Sequence, residues 1–383
     1  MATYVLRRTV QMALTLFLIL TVTFILVQAQ PGDYASFYAL NPDLPPDVRD
    51  QMRATFGLDR PVWEQYLIHM RNTVTGNFGV SFGHFPRPVL DVLAERLPRT
   101  IVLFGTATTA SVYIGFLLGK AIAWRRGGFL EYTATISGTV LFTAFTPAFA
   151  LMMIWLFAFR LGWLPVGKFL DPLVWRDADV TSTSVFGFML VTAVAFAGLA
   201  ALVLFAVRRT ERIGRRWPAT LALLAGALVA ALAWYLSGIG PLALDILRHM
   251  VLPVATLTLI SFAGTMLLTR NTMLETVRED YVMAARAKGL PDSQVRDRHA
   301  ARNALLPVVT SLVYSLVFAF DGSVIVESVF SWPGIGLTLL EAVRSEDLPL
   351  VMGAIVFIGF LALLSHLIVD VLYAFLDPRI RYR

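Results

Sequence analysis

The sequence predicts an all-α, polytopic membrane protein. Of its 383 residues, 57% are hydrophobic, and the mean hydropathy is +0.69. Charged residues make up 15%, against about 25% in an ordinary soluble domain. Long uncharged runs recur along the whole chain, and one water-soluble core cannot hide that many apolar side chains. Disorder, a disulfide scaffold and a cytosolic enzyme are excluded at once. The chain has no cysteine, which removes thiol catalysis and Cys-ligated metal. Its net charge of +6 comes without the basic, aromatic-interleaved stretch of a nucleic-acid surface, so no nucleic acid is expected as a partner.

Eight runs of membrane length are legible, at 9–29, 100–124, 134–159, 185–207, 217–237, 251–270, 306–328 and 351–376. Each is near or above the ~20 residues a spanning helix needs. In lipid the backbone must bond to itself, so these runs are helices. The first has Arg7-Arg8 before it and Val27-Gln28-Ala29 at its end, as a signal peptide would. Its apolar stretch exceeds the ~7–15 residues of a signal h-region, and a retained helix is the expectation.

Cation placement sets the orientation. With the N-terminus inside, 20 of the 32 Lys and Arg residues are cytoplasmic and 12 external. Seven of those 12 lie in 30–99, a segment long enough to translocate largely regardless of charge. An even number of spans returns the C-terminus to the same side. The expectation is a bacterial inner-membrane protein in contact with lipid, with both termini cytoplasmic.

Five regions follow. Residues 1–29 hold the cytoplasmic start and first span. Residues 30–99 form an external segment with helical candidates at 46–56 and Pro61–Met70; loops beyond about 15 residues usually carry function or disorder. Residues 100–184 hold two spans and an external loop, and 185–240 a helical hairpin. Residues 241–383 hold the remaining spans, the cytoplasmic loop 271–305 and the external loop 329–350, headed by Ser331-Trp332-Pro333-Gly334-Ile335-Gly336.

The cytoplasmic loop is the most informative. Glu279 and Asp280 start a run of helix formers, and Arg286 and Lys288 end it, matching the helix dipole. Gly289 suits the C′ position and Pro291 a stop, and Asp292 or Ser293 can cap a second helix. The loop therefore reads as helix, corner, helix. With Ala284, Ala285 and Ala287 on it, the first helix presents little bulk, so a groove on another protein can approach its backbone closely. An alanine-rich helix also serves as a plain connector, and the residues alone leave both readings open.

The stretches DYVMAARAKGL and RHAARNALLPVVT resemble the cytoplasmic EAA loop of ABC-importer permeases, in its oligopeptide and dipeptide permease form. LGWLPVG at 161–167, VESVFSWPGIG at 326–336, GLDRPVWEQYL at 57–67 and the tail DVLYAFLDPRIRYR resemble the B-type subunit of those importers. The resemblance implies a type I transmembrane domain that pairs with a second, related permease, each docking one of two ATPase subunits. An external substrate-binding protein would deliver the peptide. Tyr281, Ala284, Ala285, Ala287, Gly289 and Leu290 match the coupling helix that the ATPases grip. The chain would bind no cofactor and act as no enzyme, with ATP and Mg²⁺ on the partner subunits. These motifs do not separate peptides from the nickel chelates, glutathione or oligosaccharides that related permeases move.

Three departures from that pattern stand out. Met283 and its neighbours lack the acid that names the loop. The hairpin at 185–237 is extra to the usual six helices and reads as peripheral and lipid-facing. Asp321 falls where a small residue is expected, and suits either an interhelical bond or a place on the translocation pathway.

Other motifs compete. An ion-coupled secondary transporter would use Asp321, His366 and Asp370, since intramembrane ionisable groups cost about 2.5–3.5 kcal/mol and are rarely idle; for His366 and Asp370 an interhelical bond near a membrane boundary is the simpler reading. Gly79-Val80-Ser81-Phe82-Gly83, beside His84, matches a nucleophile elbow but lacks the sheet that motif requires. Gly115 and Gly119 make a poor phosphate loop and a good G-x-x-x-G packing pair. No H-E-x-x-H motif and no placed nucleophile support an intramembrane enzyme.

Overall fold

The computed structural model describes residues 2–29, 60–209, 217–318 and 323–376. Among them the chain is helical, with a single isolated bridge between Val80 and Pro88. The helices are α1 (Ala2–Gln28), α2 (Val62–Val74), α3 (Val89–Trp124), α4 (Phe129–Thr143), α5 (Thr146–Ile154), α6 (Ser182–Arg209), α7 (Trp217–Leu236), α8 (Gly240–Thr276), α9 (Asp280–Ala287), α10 (Ala301–Phe318), α11 (Val324–Val329), α12 (Ile335–Arg344) and α13 (Leu348–Leu376). Six segments are long and apolar enough to cross a membrane: Arg7–Gln28, Val89–Trp124, Ser182–Val203, Gly240–Thr276, Asp292–Val317 and Leu348–Asp370. In α7 the apolar stretch is the shorter Leu224–Leu236.

Two expected spans differ from the structure. The run 134–159 is not one rod, because α4 and α5 meet at 105°. Ala144 and Phe145 are extended there, and Pro147 lies in the first turn of α5; proline has no N–H to continue the α4 ladder. The run 306–328 also ends early. The described part of α10 stops at Phe318, and α11 begins anew at Val324, capped by the Ser323 hydroxyl. The candidate at 46–56 and Asp321 lie outside the described residues.

The spine is the pair α3 and α8, of 36 and 37 residues. Apolar surface gains little by leaving lipid for a helix interface, so close contact must come from small residues. A Cβ on Gly115 would come within 2.6 Å of the Phe262 carbonyl oxygen, and one on Gly119 within 2.5 Å of that of Met266. The G-x-x-x-G pair is therefore a packing seam. At the other edge of the bundle, Arg8 of α1 reaches Asp370 of α13, Nε to Oδ2, at 2.6 Å. The α2 helix rests on the end of α1 through Thr21 and Tyr66, 2.8 Å apart, and Gln28 and Gln65, also 2.8 Å apart.

The hairpin α6–α7 is not wholly peripheral. Val185, Phe186 and Met189 are buried in a cluster with Leu103, Phe169, Ile246 and Trp332. There Phe169 meets Trp332 edge-on at 5.0 Å, and Arg99 donates to the Thr183 hydroxyl at 2.9 Å. The far half of α6 exposes Val191, Val194 and Leu202, as a lipid-facing helix should.

Candidate functional site

The α9 helix begins after Glu279, which is extended and makes no side-chain cap. It ends where Gly289 takes φ +75°, a left-handed conformation that glycine adopts without strain. Lys288 N–H donates to the Ala284 carbonyl and Gly289 N–H to that of Arg286, closing the helix end. The next turn, Asp292–Gln294, starts from Pro291 with no side-chain cap; the expected cap by Asp292 or Ser293 does not form. A wide π turn, Val295–Ala300, leads into α10.

One face of α9 belongs to the chain's own interior. Val282 and Ala285 are buried against Val295, with Trp124 and Leu290 packed around them. Ala285, one of the residues matched to the coupling helix, therefore faces inward and is 4% exposed. Leu290 is half-buried in the same cluster. The outward face carries Tyr281, Met283, Ala284 and Ala287, with Gly289 beyond them.

Two further contacts tie α9 to different spans. The Arg286 guanidinium lies over the Trp124 ring at the end of α3, 5.3 Å from its centroid. Asn303 of α10 donates to the Tyr281 hydroxyl at 2.6 Å. Around this shoe, Lys120 pairs with Asp297 at 3.2 Å. Arg270 of α8 bonds Glu131 of α4 through Nε at 2.8 Å, and Gly127 N–H caps the same carboxylate at 2.6 Å. The ends of α3, α4, α8 and α10 are thus pinned beside one exposed eight-residue helix. α9 itself is tied directly to α3 through Arg286 and Trp124 and to α10 through Tyr281 and Asn303.

At the opposite end of α3 stands a feature that sequence reasoning missed. The Glu327 carboxylate is fully buried, accepting from Thr100 Oγ1 at 2.8 Å and from Leu337 N–H at 2.9 Å. Any side chain on Gly334 would overlap that carboxyl group, and one on Gly336 would meet the Val324 backbone nitrogen at 2.8 Å. The glycines of the Trp-Pro-Gly-Ile-Gly turn therefore exist to let the backbone wrap an acid. Glu327 lies on α11, outside the spanning helices, and burial pushes its carboxyl up to about 7 although its hydrogen-bond donors pull the other way. The signal was available, since an acid inside the apolar run VESVF is conspicuous.

The nucleophile-elbow resemblance dissolves in the structure. Ser81 is fully buried and donates to Asp347 Oδ2 at 2.5 Å, with His84 Nδ1 3.2 Å away. The same Asp347 oxygen accepts from Gly83 N–H, and Oδ1 caps α13 through Leu350 N–H. The serine proton is committed to a structural carboxylate rather than to a base. Asp370 is paired with Arg8, and His366 Nδ1 lies 2.7 Å from the Ala362 carbonyl of its own helix, so the interhelical reading of Asp370 holds.

Six segments long and apolar enough to cross a membrane, with a further bent pair, make this a polytopic α-helical membrane protein. Residues 111–382 match the binding-protein-dependent transport system inner membrane component family, and residues 1–104 match its N-terminal membrane component. The chain belongs to this family: it is a permease subunit of an ABC importer. A dipeptide transport system permease protein of Escherichia coli (strain K12) is 30% identical over 385 aligned positions, covering 100% of both chains. A putative peptide permease protein of Brucella suis biovar 1 (strain 1330) is 32% identical over 94% of this chain and 92% of its own. An oligopeptide transport system permease protein of Bacillus subtilis (strain 168) is 28% identical over both full lengths. An ion-coupled secondary transporter finds no support in these relationships.

Proposed function

We propose that this chain forms half of the membrane pathway of an ATP-driven importer of di- or oligopeptides, and that α9 is the surface its ATPase grips. The names of its relatives favour the cargo. The carrying observation for the mechanism is the exposed strip of Tyr281, Ala284, Ala287 and Gly289 on a helix tied to Trp124 through Arg286 and to Asn303 through the Tyr281 hydroxyl. Small residues admit a groove, and the two tethers pass a push to α3 and α10. Partners on this reading are a second homologous permease, two ATPase subunits that carry ATP and Mg²⁺, and an external substrate-binding protein. The cation asymmetry supports a bacterial inner-membrane location with cytoplasmic termini. The subunit offers two arrangements whose balance the ATPases bias.

Replacing Ala284 with Glu tests the docking face. Ala284 is exposed, so the variant should insert and pair with the second permease. It should fail to retain the ATPases on purification and lose ATP-dependent uptake of a labelled dipeptide. Normal retention and uptake would overturn the assignment.

A further inference from the structure

The Glu327 turn borders a cavity of about 540 Å³ through Val329 and Ser331. Its other sides come from α5, the loop that follows α5, and α8. The lining is largely apolar, but Lys168, Asp171 and His249 all reach it. An apolar pocket with a few placed polar groups is the usual form of a small-molecule site. Here the polar groups carry both signs of charge.

His249 is locked in place, with its side chain only 7% exposed. Ring Nδ1 lies 2.9 Å from the Asp245 carbonyl oxygen and 3.3 Å from Asp245 Oδ1. Both neighbours are oxygens that only accept, so Nδ1 carries the ring proton. The Asp245 carboxylate is fixed in turn, because the Asp171 N–H and the Trp175 indole N–H each donate to its Oδ2 at 2.9 Å. In the neutral ring Nε2 is then a bare acceptor. It has no partner among the described residues, and it is not sealed: it stays open to the cavity. A buried acceptor of this kind calls for a donor.

Asp171 offers a second acceptor. Its Oδ1 takes the Leu173 N–H at 2.9 Å, and its Oδ2 has no partner among the described residues. Lys168 is exposed, with no carboxylate beside its ammonium among those residues. Its N–H is tied to the Phe330 carbonyl at 2.8 Å. Lys168 and Ser331 also take φ of +74° and +50°. Left-handed non-glycine residues persist where their surroundings over-determine them, and they cluster at ligand sites.

We propose that this cavity seats a zwitterionic dipeptide. Its α-ammonium donates to His249 Nε2 and to the Asp171 carboxylate, and its α-carboxylate meets the Lys168 ammonium. On the peptide-import reading, on which this seat rests, the preferred cargo is a short peptide with both termini free. A phosphatidylethanolamine headgroup pairs a primary ammonium with an anion in the same way, and nanodiscs with and without that lipid separate the two sources.

For the test, the full-length chain is co-purified with its membrane and ATPase partners, without the external binding protein, and placed in phosphatidylcholine nanodiscs. Saturation-transfer NMR should show dialanine binding, with N-acetyl-dialanine bound roughly tenfold or more weakly, as loss of hydrogen bonds from a charged group requires. Amidating the carboxylate should weaken binding less, because Lys168 is exposed. His249→Leu combined with Asp171→Asn should erase the preference for the free ammonium, and Lys168→Met that for the free carboxylate, each leaving the other preference standing. Asp171→Asn alone, which keeps the Leu173 bond, should lower the ammonium preference severalfold and decides if His249→Leu fails to fold. Adding phosphatidylethanolamine should leave dialanine affinity unchanged. Equal binding of free and acetylated dialanine by the wild type, preferences that survive the substitutions, or displacement of the dipeptide by phosphatidylethanolamine would each overturn the proposal. Uptake of labelled dialanine by the complete wild-type transporter keeps the two levels apart. Uptake without an ammonium preference removes the seat alone, and no uptake removes the import reading and the seat with it.

Discussion

Arg286 of α9 stacks on Trp124, the last residue of the 36-residue α3, at 5.3 Å. The two residues are 162 positions apart in the chain, and their contact ties α9 to the end of α3.

If the proposed ATPase docking uses the opposite face of α9, Trp124→Ala should spare it while loosening the transmission. The lost cation–π contact is of order 0.5–1 kcal/mol, which lowers peptide transported per ATP hydrolysed by roughly two- to fivefold. Parallel measurement of ATP hydrolysis and uptake in proteoliposomes checks this. An unchanged ratio would show that α3 does not receive the stroke.

Ala285→Glu should behave differently from the docking-face variant at Ala284. The methyl of Ala285 faces Val295 and Trp124, so a carboxylate there is buried without a partner. Overpacking alone costs about 1–3 kcal/mol, and the unpaired charge adds to it. The melting temperature of the purified subunit should fall for Ala285→Glu and hold for Ala284→Glu.

Gly119→Leu should separate the spine. The added carbons collide with the Met266 carbonyl and Thr269, backbone and β-branched neighbours that cannot swing aside. We expect loss of at least the 1–3 kcal/mol of ordinary overpacking, read as poor yield and early unfolding in detergent. Gly105→Ala is the control, because a Cβ there meets nothing within 4 Å.

Glu327 gives a pH prediction. Its folded carboxyl titrates at about 7 against an ordinary value of 4.5, so the native state holds its proton more tightly than the unfolded chain. The contribution is full below about 4.5, declines as pH rises to about 7, and is flat above that. The melting temperature of the wild type should fall across that window. Glu327→Gln, which cannot ionise, should flatten the profile; a slope that persists would assign the effect to another group.

The secondary-transport alternative makes the opposite prediction at Asp370. Its partner Arg8 is 44% exposed, so the pair contributes little and Asp370→Asn should cost under about 1 kcal/mol. Uptake by that variant should continue with ATP in vesicles whose proton gradient has been collapsed. Dependence on the gradient would revive the alternative.

Much of this was legible in the sequence. Hydropathy places the spans because the lipid demands apolar length, and Gly115 and Gly119 announce a close crossing because only small residues permit one. Gly289 and Pro291 mark the corner after α9 by their backbone restrictions. Composition did not show which side of α9 faces inward, since Ala284 and Ala285 are alike and only the placement of Val295 and Trp124 distinguishes them. The break at Ala144–Phe145 was hidden in an unbroken apolar run, where one proline was the sole hint. Glu327 was passed over because its donors, Thr100 and Leu337, come from opposite ends of the chain.

The 36 residues of α3 make a rod of about 54 Å at 1.5 Å per residue, nearly twice the bilayer's hydrocarbon thickness of about 30 Å. Its upper portion carries Thr100, clasped to the Glu327 acid, and its foot is Trp124. A single helix thus makes contact with both the Glu327 turn and α9, and on the proposed coupling a tilt at one would be felt at the other. Traffic along it has no built-in direction: a cargo settling outside and a nucleotide closing inside would read each other through the same beam.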